Sequence, residues 1–289
     1  MGHTFFSIIV TALNPGERLG MTLTSLLAQD YGNYEVIIKD GGSTDGSLCQ
    51  TGTGAWIPAV CRERQDGRIR VVRQEDKGIY DGMNQALPHI RGEYVLFLNC
   101  GDCLYDRSVL GKVADLIGKK EAEEGGKRRV RPWIFYGDQY NELQKSLVRS
   151  APKMTDFACY RNVPCHQVCF YEACLFEERG YDTDYRVRAD YEHFLYCIYD
   201  RGAQAHTMPV VVARYEGGGF SETAQNRKRS ALEHKVITRQ YLGRCRSAGY
   251  AAAMLLTLAP LRTRIAESPR LSRGYNAVKS ALYGRRKEG

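Results

Sequence analysis

Several features that define common protein classes are missing from this chain of 289 residues. Its apolar segment at residues 250–261 is much shorter than the ~20 residues that a transmembrane helix needs. Residues 1–6 are too few to supply both the basic and the apolar part of a signal peptide. No G-x-G-x-x-G follows the first predicted strand, and G-x-x-x-x-G-K-[ST] occurs nowhere. Dinucleotide-binding and P-loop functions therefore lose their main support.

The ten cysteines follow no regular spacing that would indicate a disulfide framework. Without a signal peptide, we expect them to be free thiols in a reducing compartment. Cys100 and Cys103 form a C-x-x-C, but a zinc site of this type needs a second ligand pair. Cys165 and Cys169 lie four residues apart and do not supply one. The sequence therefore gives little support to a zinc or redox function.

The positive charge of the chain is concentrated at its C-terminal end. Residues 227–289 hold 15 Lys and Arg against 3 Glu, whereas the preceding 226 residues hold 26 basic and 30 acidic side chains. Arginines at 244, 246, 262 and 264 flank the apolar segment, which indicates an amphipathic helix on an anionic membrane surface. The alternative is a helix that packs on the body with a solvated basic face. Nucleic acid is not an expected partner, because tyrosines are sparse here and no known module fits.

The first part of the chain alternates between apolar runs of strand length and amphipathic helices. Strands are predicted at residues 5–11, 34–40, 69–72 and 94–98. Helices are predicted from the Asn14-Pro15 pair onward, around residues 79–90 and at 106–119, with Asn14 as a helix cap. This alternation predicts an α/β protein, with a mostly parallel sheet and helices on both faces.

After residue 133 the pattern changes to short apolar runs mixed with helices. Strands are predicted at residues 133–136, 168–171 and 208–214, and helices at 189–199, 222–241 and 249–261. We expect this half to attach to the first sheet and to end in a helical extension.

Small, polar or acidic residues follow four predicted strands in succession. These stretches are residues 11–14, 40–46, 74–78 and 99–102. Because ligands bind beyond the carboxyl ends of strands in open parallel sheets, the four stretches predict one ligand site. The glycine pair at 41–42 permits close backbone approach. For residues 41–45 the alternative is a tight turn followed by a helix cap.

Three of these stretches carry a resemblance to a known family. The sequences IIVTALN at residues 8–14 and VIIKDGGSTDG at 36–46 resemble inverting glycosyltransferase family 2, which has the GT-A fold. DKGIYDGMN at 76–84 resembles a subgroup that makes bacterial surface polysaccharides. The resemblance covers roughly residues 5–220. It implies transfer of a sugar from a nucleoside diphosphate, with uridine as the expected nucleoside, to an acceptor hydroxyl.

The resemblance also assigns residues to the donor. The donor-binding set it implies is Thr11, Asn14, Asp40, Gly42, Ser43, Asp81, Asn84 and Asn99. Thr11, Asn14 and Asp40 would hold the base and ribose, and the acceptor-only carboxylate of Asp40 suits the imide N–H of uracil. Asp81 and Asn84 would line the pocket near the phosphates and the sugar.

The metal motif of the family, usually Asp-x-Asp or Asp-Asp, falls on Asn99-Cys100-Gly101-Asp102 in this sequence. A hard divalent cation held by carboxylate oxygen would neutralise the diphosphate leaving group. Only Asp102 keeps a carboxylate, which departs from the family pattern. Because substrate phosphates and water supply most ligands of Mg²⁺, one carboxylate can be enough to bind it. Mg²⁺ or Mn²⁺ is therefore the expected cofactor.

The acceptor and the catalytic base are expected in the second half of the chain. By the resemblance, Asp190 is the general base at the start of a helix, where the positive helix end favours an ionised carboxylate. The alternative role for Asp190 is a plain helix cap. Glu192 is the second choice of base, and His166 and Gln167 would line the acceptor side. The glycine-rich residues 217–221 are expected to form either a closing loop or a linker.

These assignments predict a catalytic domain at residues 1–221 and a basic helical extension at 222–289. Within the domain, 1–105 would bind the nucleotide sugar and 130–221 the acceptor, a saccharide or a lipid-linked saccharide. The expected location is the cytoplasm, with peripheral contact at the membrane. Two alternatives stay open. One is a nucleotide-sugar-binding protein without catalysis. The other is a sugar-nucleotidyltransferase, which would need more basic residues near the first strand than Arg18.

Overall fold

Apolar runs near the start of the chain form the parallel core of the sheet. The computed structural model describes residues 4–50, 56–59, 66–125, 131–217 and 223–256. The strands are β1 (Phe6–Ala12), β2 (Tyr34–Asp40), β3 (Leu48–Gln50), β4 (Trp56–Pro58), β5 (Ile69–Arg73), β6 (Tyr94–Asn99), β7 (Cys103–Leu104), β8 (Trp133–Asn141), β9 (Ser146–Val148), β10 (Cys169–Glu172) and β11 (Gln204–Tyr215). Because β1, β2 and β6 are buried on both faces, their central residues 8–10, 36–38 and 95–98 are apolar at successive positions rather than alternating.

Helices lie on both sides of this sheet. The helices of the described residues are α1 (Glu17–Leu27), α2 (Ile79–Ala86), α3 (Val109–Glu123), α4 (Asp156–Arg161), α5 (Ala189–Tyr199), α6 (Ala224–Leu242) and α7 (Arg244–Leu256), with short 3-10 helices at Leu87–His89, His166–Val168 and Ala173–Phe176. The predicted bounds of α5 are confirmed. The helix predicted at 106–119 begins later, because Asp106 accepts hydrogen bonds from the N–H and the hydroxyl of Ser108 just before it.

Within the described residues, nine strands form one sheet in the order β5-β2-β1-β6-β10-β8-β11-β7, with β9 paired to β8. The strands β5, β2, β1 and β6 are parallel, whereas β10 runs antiparallel to both β6 and β8. β11 is parallel to β8, and β3 and β4 form a separate antiparallel pair. The predicted α/β class with a mostly parallel first half is confirmed, and the second half makes the sheet mixed.

The predicted helix start at Asn14 is wrong. α1 begins at Glu17, after Gly16. Asn14 has a left-handed backbone with φ 46°, which asparagine tolerates better than most residues. Its side-chain oxygen accepts a hydrogen bond from the N–H of Thr44 instead of capping its own helix. A long-range contact has replaced the local one. The helix cap considered for residues 43–45 is also wrong, because the chain continues there into β3.

The described residues divide into two compact units, one up to Ile237 and one from Thr238 onward. In the second unit, Gly243 at φ 79° separates α6 from α7, and the hydroxyl of Ser247 donates to the carbonyl of Thr238. Among the described helices, none combines the length and apolar character needed to cross a bilayer. The end of the helix predicted at 249–261 and residues 218–221 of the glycine-rich stretch lie outside the described residues. The division at residue 221 stays a prediction.

Candidate active site

The carboxyl ends of the parallel strands meet at one edge of the sheet. The register pairs Ala12 with Asp40, Asp40 with Arg73, and Thr11 with Asn99. The strand-end stretches predicted from the sequence therefore lie side by side. This edge of the sheet, with the loops that follow these strands, is the candidate active site.

Asp40 organises the loop that follows β2. Its buried carboxylate accepts hydrogen bonds from the N–H of Gly42 at 3.2 Å and from the N–H and hydroxyl of Ser43, the N–H at 3.0 Å. Arg73 at the end of β5 forms an ion pair with it at 3.2 Å and donates to the carbonyl of Ser43 at 2.8 Å. Arg73 was not singled out from the sequence, because a basic residue ending a strand carries no distinctive signal. Contact of Asp40 with a base stays a prediction.

The loops after β1 and β2 are joined by reciprocal hydrogen bonds. The N–H of Asn14 donates to the hydroxyl of Ser43 at 2.8 Å, and the Asn14 side chain accepts from Thr44 at 2.8 Å. The N–H of Gly16 donates to Asp45 at 2.7 Å. Two loops that are 29 or 30 residues apart in sequence are thus held as one surface beside Asp40.

Lys39 is a fully buried lysine that the sequence reasoning missed. Its ammonium group donates to the carbonyls of Asp40 and Gln74 and to the carboxylate of Asp76 at 2.9 Å. Gly41 leaves room for this arrangement, because a Cβ there would lie 2.7 Å from Asp76 Oδ2. Lys39 therefore fastens the loop before α2 to the end of β2. A charged residue within an apolar run was the signal available.

Replacing Lys39 with methionine is expected to lower the free energy of unfolding by about 3 kcal/mol, because Asp76 would lose its buried partner. Chemical denaturation would measure the change. A second substitution, Asp76→Asn, should restore part of the loss, while Lys119→Met on the exposed face of α3 serves as control. A loss under about 1 kcal/mol, the ordinary size for a point substitution, would contradict the assigned role.

Asp81 and Asn84 lie on α2, and their polar atoms are engaged with nearby backbone. Asp81 accepts from the N–H of Lys77 at 2.8 Å. The Asn84 amide donates to the carbonyl of Tyr181 at 2.8 Å and accepts from its N–H at 2.7 Å. Asn84 thus clamps α2 to the segment around Tyr181, and its predicted place in the donor pocket is not tested.

Asp102 is a buried carboxylate beside the loop that follows β6. It accepts a hydrogen bond from the side chain of Gln167 at 3.0 Å and from the N–H of Glu216 at 3.2 Å. Burial raises the pKa of Asp102, and these two hydrogen bonds offset only part of that effect. The Glu216 side chain pairs with Arg18 at 3.3 Å. Gln167, predicted on the acceptor side, therefore lies against the predicted metal ligand.

A chain of hydrogen bonds runs from the end of β1 to the start of α5. Thr11 donates to Asn99 Oδ1 at 3.2 Å, and Asn99 Nδ2 lies 3.1 Å from His166 Nε2. His166 Nδ1 lies 3.0 Å from Asp190 Oδ2, and the hydroxyl of Tyr80 donates to Asp190 Oδ1 at 2.9 Å. This chain joins the predicted donor side to the predicted acceptor side and the predicted base.

Asp190 lies in the first turn of α5 rather than at its cap, which is Arg188. The helix-cap alternative is therefore wrong. The Asp190 side chain is 24% exposed, so a ligand can reach it. Burial alone would raise its pKa, but hydrogen bonds from His166 and Tyr80 hold the pKa below its usual value. The residue is a partly accessible, ionised carboxylate.

Glu233 on α6 positions the segment that leads into α5. Its carboxylate accepts hydrogen bonds from the N–H groups of Arg186, Val187 and Arg188 at 2.9–3.0 Å. These donors would otherwise lack partners at the start of the helix. The sequence reasoning missed Glu233, because it lies more than forty residues from Asp190.

Glu192, the second choice of base, has a different environment. Its side chain is 2% exposed and forms a bidentate pair with Arg179 at 2.7 and 3.2 Å. Both oxygens are engaged inside the protein, and this arrangement does not favour proton exchange with an acceptor. Of the two carboxylates on α5, only Asp190 combines exposure with a place in the hydrogen-bonded chain.

The thiols of Cys100 and Cys165 lie near the carboxylates predicted at positions 40, 102 and 190. Burial raises the pKa of Cys100 to about 12, with further contributions from the charges of Asp102 and Asp40. Burial likewise raises the pKa of Cys165 to about 12, helped by Asp102 and Asp190. The hydrogen bonds give the geometry, because the neighbouring residues His166 and Gln167 bond to Asp190 and Asp102 respectively. Asp40 ends the strand next to β1, whose Thr11 bonds to Asn99.

The donor atoms for a divalent cation are few. In the ranges that the structure covers, no group of three or more His, Cys, Asp or Glu side chains is placed to hold a metal. A Mg²⁺ site that relies on substrate phosphates needs only one or two carboxylates. Asp102 fits this kind of site, since each carboxylate oxygen can accept more than the single hydrogen bond it has here.

The α/β fold, with polar loops at the carboxyl ends of its parallel strands, defines a ligand-binding protein of the GT-A type. The family profile described as Glycosyl transferase family 2 matches residues 7–171. The chain belongs to glycosyltransferase family 2, and it is a glycosyltransferase.

Curated relatives agree with this family. A PGL/p-HBAD biosynthesis glycosyltransferase of Mycobacterium tuberculosis is 33% identical over 225 residues, which span 77% of this chain and 81% of the relative. An uncharacterized glycosyltransferase of the same species is 28% identical over 197 residues, or 65% and 67% of the two chains.

Solved structures share the fold at low sequence identity. S. aureus TarS 1-349 in complex with UDP-GlcNAc superposes with a TM-score of 0.61 at 18% identity, covering 83% of this chain and 72% of that one. The mannosyltransferase PcManGT from Pyrobaculum calidifontis, in complex with GDP-Man and Mn²⁺, gives a TM-score of 0.56 at 16% identity, with 96% and 84% covered. The predicted GT-A fold is confirmed.

Proposed function

We propose that this chain is an inverting glycosyltransferase that moves a sugar from a nucleoside diphosphate to an acceptor hydroxyl, with Asp190 as the general base. The observation that carries the proposal is the setting of Asp190. Its carboxylate is ionised, 24% exposed, and joined through His166 and Asn99 to the ends of β1 and β6. An inverting transfer needs such a group, because the acceptor hydroxyl must lose its proton as it attacks.

In the proposed reaction the acceptor oxygen bonds to the anomeric carbon on the face opposite the diphosphate. Asp190 takes the hydroxyl proton as the bond between the anomeric carbon and the diphosphate oxygen breaks. The nucleoside diphosphate leaves with that electron pair. A single displacement of this kind inverts the configuration of the sugar.

The proposed donor is a UDP-sugar held by the loops after β1, β2 and α2. The acceptor-only carboxylate of Asp40, with Arg73 beside it, suits the imide N–H and carbonyl of uracil. TarS was solved with UDP-GlcNAc, which agrees with uridine, whereas PcManGT was solved with GDP-Man. We therefore expect a UDP-sugar to stabilise the protein more than a GDP-sugar does.

Asp102 would hold a divalent cation, Mg²⁺ or Mn²⁺, together with the phosphates of the donor. When bound, such an ion supplies positive charge that stabilises the leaving diphosphate. The mannosyltransferase PcManGT was solved with Mn²⁺, which supports the same chemistry in this fold. Gln167 and the N–H of Glu216 keep the Asp102 carboxylate oriented in its absence.

The proposed acceptor is a saccharide or a lipid-linked saccharide, reached from the side of His166 and Gln167. One relative carries a name from PGL/p-HBAD biosynthesis, which supports a glycolipid or glycan context. The basic residues after 227 would contact the anionic inner membrane surface, and the enzyme would work in the cytoplasm without a nucleic acid partner. The proposed division into a catalytic domain and a basic extension follows from that charge pattern.

Nucleotide binding and turnover together test the proposal. A thermal-shift panel of UDP, GDP and their sugars, with and without Mn²⁺, is expected to show the largest rise in Tm with UDP-sugar and Mn²⁺. Incubation with an acceptor panel should release UDP, measured by chromatography. Proton NMR of the glycoside should show the anomeric configuration opposite to that of the donor.

Each alternative gives a different result in these assays. Nucleotide binding without release of UDP, across all acceptors, would favour an inactive nucleotide-sugar-binding protein. Release of pyrophosphate from a nucleoside triphosphate and a sugar phosphate would favour a nucleotidyltransferase. A product with retained configuration would contradict the inverting mechanism, and no stabilisation by any nucleotide would contradict the whole assignment.

A further inference from the structure

The asparagine that departs from the family's metal motif is also the partner of a buried histidine. The side-chain oxygen of Asn99 accepts a hydrogen bond from the hydroxyl of Thr11 at 3.2 Å. The amide nitrogen of Asn99 lies 3.1 Å from His166 Nε2. The other ring nitrogen of His166 faces Asp190 at 3.0 Å. His166 is 8% exposed, so water does not substitute freely for either partner. Both ring nitrogens thus have defined protein partners.

The chemistry of the partners fixes the proton on the imidazole ring. The carboxylate of Asp190 only accepts hydrogen bonds, so His166 Nδ1 must carry a hydrogen. The amide nitrogen of Asn99 only donates, so Nε2 must be bare. The hydroxyl of Thr11, donating to the Asn99 oxygen, agrees with this orientation of the amide. With the Asn99 amide in this orientation, the network places the ring hydrogen of His166 on Nδ1.

We propose that Asn99 holds His166 in this tautomer and that His166 is a positioning residue for the base Asp190. This inference rests on the proposed function, because it assumes that Asp190 removes the acceptor proton. His166 donates to Oδ2 of Asp190, and the N–H of Tyr191 donates to Oδ1. The hydroxyl of Tyr80 lies 2.9 Å from both Asp190 Oδ1 and the carbonyl oxygen of Val187, so its one hydrogen is shared between two acceptors. Together these groups hold the carboxylate in place.

An aspartate at position 99 would change where the ring of His166 carries hydrogen. An aspartate there could only accept, and Nε2 would then need a hydrogen. Either Nδ1 would lose its hydrogen and present a lone pair to Asp190, or an imidazolium would lie between two carboxylates. In the first outcome Asp190 loses its donor, and in the second the donor carries a positive charge.

Variants at 166 and 99 test the proposal by kinetics. His166→Leu, which removes the donor, is expected to lower kcat about a hundredfold with little change in KM for the donor, since misorientation of a reacting group costs on this scale. His166→Asn, which keeps an amide donor for Asp190, should recover to within about tenfold of the natural enzyme. Asn99→Asp should lower kcat by less than His166→Leu does, because an imidazolium would still donate to Asp190. His89→Leu, at an exposed histidine, is the matched control.

Nitrogen NMR of the labelled protein supplies a readout independent of turnover. The natural chain should show a hydrogen on Nδ1 of His166 and none on Nε2, and Asn99→Asp should place a hydrogen on Nε2. A hydrogen on Nε2 in the natural protein, or full kcat in a folded His166→Leu variant, would overturn the inference. Absence of sugar transfer by the natural chain would instead defeat the proposed function, while the NMR signal would still decide the tautomer.

Discussion

Replacing Asp190 with asparagine is expected to lower kcat about a thousandfold, within the range that general bases contribute to enzymes. The substitution keeps the size of the side chain but removes the group that accepts the acceptor proton. The loops after β1 and β2, which lie on the other side of the hydrogen-bonded chain, should be unaffected. Binding of UDP, measured by calorimetry, should therefore change less than about threefold.

Asp200→Asn is the matched control for this experiment, because Asp200 is exposed at the opposite end of the same helix. It should retain the kcat of the natural enzyme. A folded Asp190→Asn variant that keeps more than about a tenth of kcat would exclude Asp190 as the base. In that case the exposed carboxylate would have to serve binding alone.

The pKa of Asp190 adds a second check on its role. Since that pKa lies below the usual value of 3.8, the base stays ionised throughout the neutral and mildly acidic range. The rate supported by Asp190 is present above its pKa and is lost as the pH falls through it. A loss of kcat/KM well above pH 3.8 would therefore report another group of the free enzyme.

The parts of the fold that the sequence could predict are those with local signals. Apolar runs identified β1, β2 and β6, since the residues of a strand that is buried on both faces do not alternate between apolar and polar. The polar stretches after them located the site, because parallel strands end at a common edge. The family resemblance then directed attention to Asp102 and Asp190, which are bonded by the neighbouring residues Gln167 and His166.

The parts that could not be predicted depend on contacts between distant residues. Asn14 is a residue type that often caps helices, and a proline follows it, as is common at a helix start. Its side chain instead accepts a hydrogen bond from a backbone N–H 30 residues away. Tyr80 and Asp190 meet across 110 residues, and Lys39 reaches Asp76 across 37. No local pattern encodes such pairs. Their partners emerge only when the sheet is assembled.

The second large effect is expected at Asp102. Asp102→Asn should lower kcat/KM about a hundredfold, because a cation that stabilises the leaving diphosphate is worth several kcal/mol and would lose its protein carboxylate. The amide keeps one oxygen for the N–H of Glu216, so the fold should survive, and a thermal melt would verify this. The exposed Asp115→Asn on α3 is the control.

Cation binding separates a metal ligand from a residue that only shapes the loop. Mn²⁺ titrated into the natural protein with UDP, and followed by electron paramagnetic resonance, should bind much more tightly than to Asp102→Asn. Because the described residues offer no three-ligand cluster, affinity without UDP should be weak in both proteins. Equal Mn²⁺ affinity of the two proteins in the presence of UDP would contradict a role of Asp102 as metal ligand. The carboxylate would then only hold the loop in place through its hydrogen bonds with Gln167 and Glu216. A folded variant with unaltered kcat/KM would lead to the same conclusion, and the charge on the diphosphate would then have to be met by arginines such as Arg18 at the rim of the site.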